Sequence, residues 1–495
     1  MPLPQPSSLL AQPKSAAVPW ALIILTALVL AIHGFHPLAE DGGLYVAGIK
    51  WLLHPALFPH DTAFVREHLR FSLFAPAITT IVRLTHIPLL WTLLLLYLAT
   101  TFATLYAARE LLRALGFSNH ATLAGITLLA ACWTMPIAAT SLMLMDPYLT
   151  ARSFATPLAL LALAYALRNR TTPALALIAI AVAFHPLMAG YGLAFVVALY
   201  LTRSRNPRTA WLILTAITLA AAATLQAFAK PDTPAEAIAA ASRYYWFLSQ
   251  WHWYEDLGLL GPIAVLLLLR TPQRKAFIHA ITTLAALATL TALLFAQEHF
   301  RAHIVASLQP LRIFLELYAL MLLLLGATIA ERTKLHALPW LLAATAAIAF
   351  AFVARSTYPC SPQVEWPWAA DHQPNPWVQA FLWAKHNTPP TALFALDAKY
   401  VNRDGEDAQV FRAIAERSAL PDYSKDGGEV SIAPALAATW LPAAQAQKDL
   451  DQQSDASRDL RLAPFHPDFV ILNAATATSH PCPYRNAVVK VCALR

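Results

Sequence analysis

Charge is scarce in this chain. Only 13% of its 495 residues are Asp, Glu, Lys or Arg, against 58% hydrophobic residues and a mean hydropathy of +0.50. A soluble domain carries about twice that charged fraction, which excludes a wholly soluble protein. Cysteine is sparse too, with four in all. The C-terminal part has no nucleotide-binding loop, nucleophile elbow or CxxC motif, and no histidines stand at zinc-site spacing. No internal repeat is visible, and no pair of broken helices recurs at matching positions, which counts against a transporter built from inverted repeats. The net charge of +7 is no nucleic-acid signal, because the excess sits in short loops between apolar runs.

Those runs are what the chain does have. Residues 18–353 are a series of apolar stretches of roughly 15–25 residues, the length that crosses about 30 Å of hydrocarbon. The expected spans lie near 18–36, 88–108, 120–141, 152–168, 173–185, 187–203, 208–228, 258–270, 276–296, 304–330 and 336–355. The expected fold is therefore an all-α polytopic membrane protein with about eleven transmembrane helices over 18–355. Beyond residue 355 charges become frequent, and residues 356–495 read as a soluble α/β domain. Residues 1–15 are rich in Pro and Gln and read as disordered, a state assigned to 1–17 as a whole. The apolar stretch at 20–32 lacks a cleavage site and reads as a retained anchor.

Loop charge sets the orientation. One side collects thirteen basic residues, among them Lys14, Arg109, Arg205, Arg274 and Lys334, against two acids, Glu110 and Glu331. The opposite loops are rich in acids. Basic loops favour the cytoplasm, so the N-terminus is expected inside and the C-terminal domain outside. Residues 71–84 are apolar but short and contain Pro76; as a span they would invert every later loop. They and residues 43–57 are expected as helices on the outer surface. Within 43–57, Tyr45, Ile49 and Leu52 form one stripe and Gly43, Ala47, Lys50 and His54 another. The sole Asn-x-Thr match, Asn169-Arg170-Thr171, falls in a cytoplasmic loop, which suits a bacterial inner membrane. Three cysteines are expected outside, Cys360, Cys482 and Cys492, with Cys482–Cys492 as the preferred pairing.

Five groups of residues carry chemistry. Glu40-Asp41 stand immediately outside the first span, where adjacent carboxylates can bind a divalent cation or take a proton from a sugar hydroxyl. Alternatively, Asp41 caps the surface helix and Glu40 is solvated. Asp146, in Met145-Asp146-Pro147-Tyr148, is either a further ligand or a turn and cap residue. Arg312 and Glu316 are four apart and can pair on one helix face; Arg312 is expected about 12 Å below the outer end. It either locks helices together or faces a cavity and holds a phosphate. The aromatic run 244–254 reads as an interfacial belt, with Arg243 beside it as a phosphate contact. Arg301 and His185 lie on the same side; His185 either closes a helix or lines the site.

An acidic pair directly after the first span, then Tyr45 on a surface helix, resembles the first-loop signature of the GT-C superfamily of membrane glycosyltransferases. The second surface helix, the number of spans and the outer domain are similar to that superfamily. So is Trp383-Ala384-Lys385-His386-Asn387-Thr388-Pro389-Pro390, leading into Ala392-Leu393-Phe394, which resembles the helix-to-strand opening of many bacterial outer domains. The chain departs from the signature at Gly42-Gly43, where larger residues are usual. The resemblance implies transfer of a sugar from a polyprenyl-phosphate donor to an acceptor on the outer face. It casts Asp41 as base or metal ligand, Glu40 and Asp146 as ligands of Mg or Mn, and Arg243, Arg301 and Arg312 as phosphate contacts. A non-catalytic protein of the same architecture, whose outer domain binds a partner or envelope polymer, is the alternative, and a transporter the third.

The outer domain is expected to hold helices near 377–385 and 410–417 and strands near 392–396, 468–472 and 487–492. A turn is expected at Gly427-Gly428 and an exposed polar stretch at 445–459.

Overall fold

The computed structural model describes residues 17–203, 206–333, 335–371, 374–397 and 408–494. The expected disorder of 1–15, and the loop residues Lys14, Arg205 and Lys334, lie outside the described residues. A helix stands at each of the eleven apolar runs. Helix α1 (Ala17–His33) is followed by α2 (Asp41–Leu53), α3 (Thr62–Arg66) and α4 (Phe74–Thr85). Next come α5 (Leu89–Ala114), α6 (Asn119–Ala131), α7 (Ala151–Leu167), α8 (Thr171–Phe184), α9 (Pro186–Thr202) and α10 (Pro207–Phe228). The series continues with α11 (Pro234–Ala241), α12 (Trp253–Leu268), α13 (Lys275–Phe295), α14 (Ile304–Ser307), α15 (Phe314–Arg332) and α16 (Leu338–Thr357).

Among the described residues, five helical runs are long and apolar enough to cross a membrane: α5, α10, α13, the run Ile304–Arg332 and α16. Others are shorter; α6, with 13 residues, rises only about 20 Å. Leu212, Ile217 and Phe228 on α10 and Leu341, Ile348 and Phe352 on α16 point outward. Large apolar side chains along the outside of long helices are what a hydrocarbon surrounding selects. The inner helices bury theirs, with α15 packed on α6 and α7 wedged between α5 and α8.

Helices form at both stretches, α2 and α4, and pack on each other. Pro76 falls in the first turn of α4, where its missing N–H costs nothing, so it does not interrupt the helix. Both stripes of α2 are used: Tyr45, Ile49 and Leu52 meet α4 and its neighbours, while Gly43 and Ala47 are also buried. The cover on that side comes from the C-terminal domain. A Cβ on Gly43 would stand 3.1 Å from the Val410 backbone and one on Gly42 2.6 Å from the Pro37 carbonyl oxygen. The departure from larger residues here thus lets another helix and the preceding loop press against α2.

The C-terminal domain opens with α17 (Pro376–Asn387) and β1 (Leu393–Ala395), then α18 (Ala408–Ala415) and β2 (Ser418–Ala419). Helices α19 (Lys425–Ile432), α20 (Ala437–Ala446) and α21 (Asp455–Leu462) precede β3 (Phe469–Asn473), β4 (Tyr484–Arg485) and β5 (Val489–Ala493). The sheet order is β2-β1-β3-β5-β4, parallel across β2, β1 and β3 and antiparallel across β3, β5 and β4. Alternate side chains feed two cores. Phe394, Ile471 and Val491 meet α17 and α18, whereas Ala395, Val470 and Leu472 meet Leu450 and Leu462. Cys482 and Cys492 form the disulfide expected for the terminal hairpin.

Three expectations for loops are corrected. Gly427-Gly428 is not a turn but lies inside α19. The stretch 445–459 is not solvated throughout, since Gln447, Leu450 and Arg458 are buried. Gln447 accepts from the Leu396 amide at 2.9 Å and donates to the Pro421 carbonyl at 2.8 Å, which explains a buried amide side chain. In the aromatic run Tyr244, Trp253 and Tyr254 are exposed, while Trp246, Phe247 and Trp251 are buried among the helices.

Candidate functional site

The loop between α1 and α2 is gripped on two sides. The His36 amide donates to the Pro147 carbonyl at 2.8 Å, Phe35 pairs with Val364, and the His36 ring bonds Glu365 at 3.0 Å. Glu40 then takes φ +49° and ψ −125°, a region that side-chain-bearing residues rarely enter. The strained step turns the chain sharply into α2, so that Glu40 and Asp41 stand side by side at its start. Neither accepts a capping bond from the helix; the alternative in which Asp41 caps α2 is not what forms.

Both carboxylates face the ammonium of Lys425, the first residue of α19. Its Nζ lies 2.8 Å from Glu40 Oε2 and 2.7 Å from Asp41 Oδ1. The two side chains keep 44% and 46% of their surface accessible, yet burial is the largest single influence on Asp41. The two facts agree for a group walled by protein and open on one side. Burial pushes the Asp41 carboxyl up; Lys425, then Arg152 and Arg312, outweigh it and hold the group at about 2. Asp41 is therefore ionised at any physiological pH.

One turn further along α2, Tyr45 stands edge-on to His68 at 5.4 Å and to Phe74 at 4.8 Å. Burial, then the charge of Asp41, raises the Tyr45 hydroxyl far above its usual range. Burial also holds His68 down to about 4 against the pull of Asp41, so its ring is neutral. Neither of its nitrogens has a hydrogen-bond partner, and Nδ1 lies 4.0 Å from Glu429 on α19. Burial raises Glu429 to about 8, with Asp426, Asp41 and Glu67 adding to it. A neutral imidazole and a protonated carboxylic acid thus line the flank behind the charged pair.

Sequence reasoning missed Lys425 because it lies 384 residues after Asp41 in a stretch with no motif. Its helix is nonetheless firmly held. Asp426, the next residue, receives both Nη groups of the fully buried Arg412 at 2.9 Å each. Arg412 also bonds Asp61, in the loop after α2, and the Ala419 carbonyl. Arg243 lies against the same helix: its Nη2 donates to the Tyr423 carbonyl at 3.3 Å. A Cβ on Gly428 would stand 3.3 Å from the guanidinium, and one on Gly427 2.9 Å from the Trp440 ring. The glycine pair makes room for Arg243 and Trp440 within a helix.

The remaining candidates divide. Asp146 is buried and bonded to Arg152, with Thr150 also near, so this carboxylate already has a cation. Arg152 and Arg312 are close enough for their charges to act on Asp41 and His185. Arg312 does not pair with Glu316. Residues Pro310–Ile313 form a 3-10 turn before α15 begins at Phe314, and three residues per turn rotates Arg312 off the Glu316 face. Arg312 consequently sits in the 3-10 turn that leads into α15, with its guanidinium 5.5 Å over the Tyr245 ring. Both Glu316 oxygens lack hydrogen-bond partners. His185 starts α9, its Nδ1 accepting from the Met188 amide at 3.4 Å, which is the helix-closing alternative. The Arg301 side chain is exposed and makes no contact with the acidic pair.

Among the described residues, no three His, Cys, Asp or Glu side chains are placed to share a metal ion. The donor set does not fit Mg or Mn as arranged: Lys425 holds the position between Glu40 and Asp41, and Arg152 holds Asp146. No known protein-family description and no curated protein matches the chain.

Proposed function

We propose that this protein is a GT-C-like membrane glycosyltransferase that moves a sugar from a polyprenyl-phosphate donor to an acceptor. On this reading all eleven apolar helices span a bacterial inner membrane, the N-terminus is cytoplasmic and the C-terminal domain is outside. The observation that carries it is the half-open Glu40–Asp41 pair at the exit of the first apolar helix, with Asp41 held ionised. Lys425, Arg152 and Arg312 surround that pair with positive charge, as a site for a lipid-linked phosphate requires. A carboxylate held near 2 is a weak base toward a free hydroxyl. Asp41 would orient the acceptor hydroxyl and take its proton as the bond to the sugar forms. The arginines would meet the departing phosphate.

The test is transfer from a mixed pool of polyprenyl-phosphate sugars in vesicles containing the purified protein. Asp41→Asn should abolish transfer while leaving the melting temperature near wild type, since Asp41 makes no helix cap. Full transfer by an Asp41→Asn, Glu40→Gln double variant would remove the pair from the chemistry. One observation favours a non-catalytic protein whose outer domain binds an envelope polymer: Lys425 already occupies both carboxylates. Absence of turnover by the wild type with every donor would favour that second reading.

A further inference from the structure

The acidic pair, Lys425 and the contacts beneath it carry one step more. We infer that the cation of the Glu40–Asp41 site is Lys425 itself, delivered by the C-terminal domain, and that the pair takes no divalent metal. This deepens the reading of the site proposed above. The ammonium lies 2.7 and 2.8 Å from one oxygen of each carboxylate. A divalent ion bridging those oxygens at about 2.0–2.6 Å would need the same point in space, and two cations cannot share it.

The ammonium is built in. Asp426 beside it is fixed by a two-pronged bond from buried Arg412, which reaches on to Asp61. Arg243 bonds the Tyr423 carbonyl just before it. The backbone that carries Lys425 is thus tied to α18, to the loop after α2 and to the segment after α11. Charge points the same way. With Lys425 in place the pair carries one net negative charge, and Arg152 and Arg312 already act on Asp41. A doubly charged ion added there would meet three cations.

The experiment measures Mn2+ binding by electron paramagnetic resonance on the full-length protein in detergent, apart from any transfer assay. Wild type should bind no Mn2+ that depends on Asp41. Lys425→Met, neutral and similar in length, should gain a single Mn2+ per chain, lost again when Asp41→Asn is added. Lys425→Arg, which keeps the charge, should bind none. Mn2+ bound by wild type and released by Asp41→Asn would overturn the inference. So would a Lys425→Met protein that melts like wild type and binds none. If Lys425→Met does not fold, the wild-type comparison with Asp41→Asn decides alone. Failure to transfer sugar would bear on the proposed reaction and leave this result untouched.

Discussion

Replacing Arg412 with Met should loosen the C-terminal domain from the loop beneath it. Arg412 is fully buried, and its guanidinium serves both Asp426 oxygens at 2.9 Å, the Ala419 carbonyl at 3.1 Å, and Asp61. Met preserves much of the length and packing while deleting the charge. The buried carboxylates of Asp61 and Asp426 then lose the Arg412 charge, and breaking a buried ionic group in this way costs about 3–5 kcal/mol. Each carboxylate keeps one backbone amide, Ala419 N on Asp61 at 3.0 Å and Asp422 N on Asp426 at 2.8 Å. That places the loss toward the lower end, about 3 kcal/mol. Hydrogen exchange on peptides covering α18, α19 and the loop at 58–66 reads the loss directly. Arg412→Lys should be intermediate, since an ammonium cannot reproduce the fork. Exchange and melting within about 0.5 kcal/mol of wild type would refute the clamp.

Glu429, held at about 8 by burial and then by Asp426, Asp41 and Glu67, keeps its proton longer in the folded state than its unfolded value of about 4.3 allows. Its stabilising contribution is complete below that value and is lost as pH rises toward 8. Glu429→Gln should flatten this decline in melting temperature, and an unchanged slope would show that Glu429 is not its source. Arg312→Met and Glu316→Leu should be additive within about 0.5 kcal/mol, as the two side chains do not pair; a larger coupling would restore the pair. On the proposed topology, a membrane-impermeant thiol reagent applied to spheroplasts should label exposed Cys360. With Cys360→Ser it should label Leu460→Cys but not Arg332→Cys; labelling at 332 would invert the orientation.

The elements were largely legible in the sequence, because each rests on local periodicity. Every long apolar run became a helix, and the alternating stretches at 393–395, 469–473 and 489–493 became strands. Errors arose where a local rule met a distant partner. Gly427-Gly428 read as a turn, but the space the two residues leave is filled by Arg243 and Trp440, which favours helix with no room for side chains. Gln447 and Arg458 read as solvated, yet each donates inside to a backbone carbonyl from outside that stretch, Pro421 and Ala477. Arg312 and Glu316 read as a helical pair because a spacing of four assumes unbroken α-helix, and Pro310 opens a 3-10 turn instead.

The site divides along the same line. Glu40 and Asp41 could be singled out because their position depends only on where the first apolar run ends. What they do chemically depends on Lys425, 384 residues later, and no spacing rule reaches that far. The carboxylates stand just after the first apolar helix, while the C-terminal domain supplies the ammonium that meets them. That domain is held there by Arg412 through Asp61 and by Arg243 through Tyr423, contacts that join it to the helical part on two sides. A soluble fragment cut at the end of α16 would carry Lys425 without its carboxylates, and the helical part alone would carry an uncompensated pair. The acidic pair and the C-terminal domain are therefore two halves of one charged site.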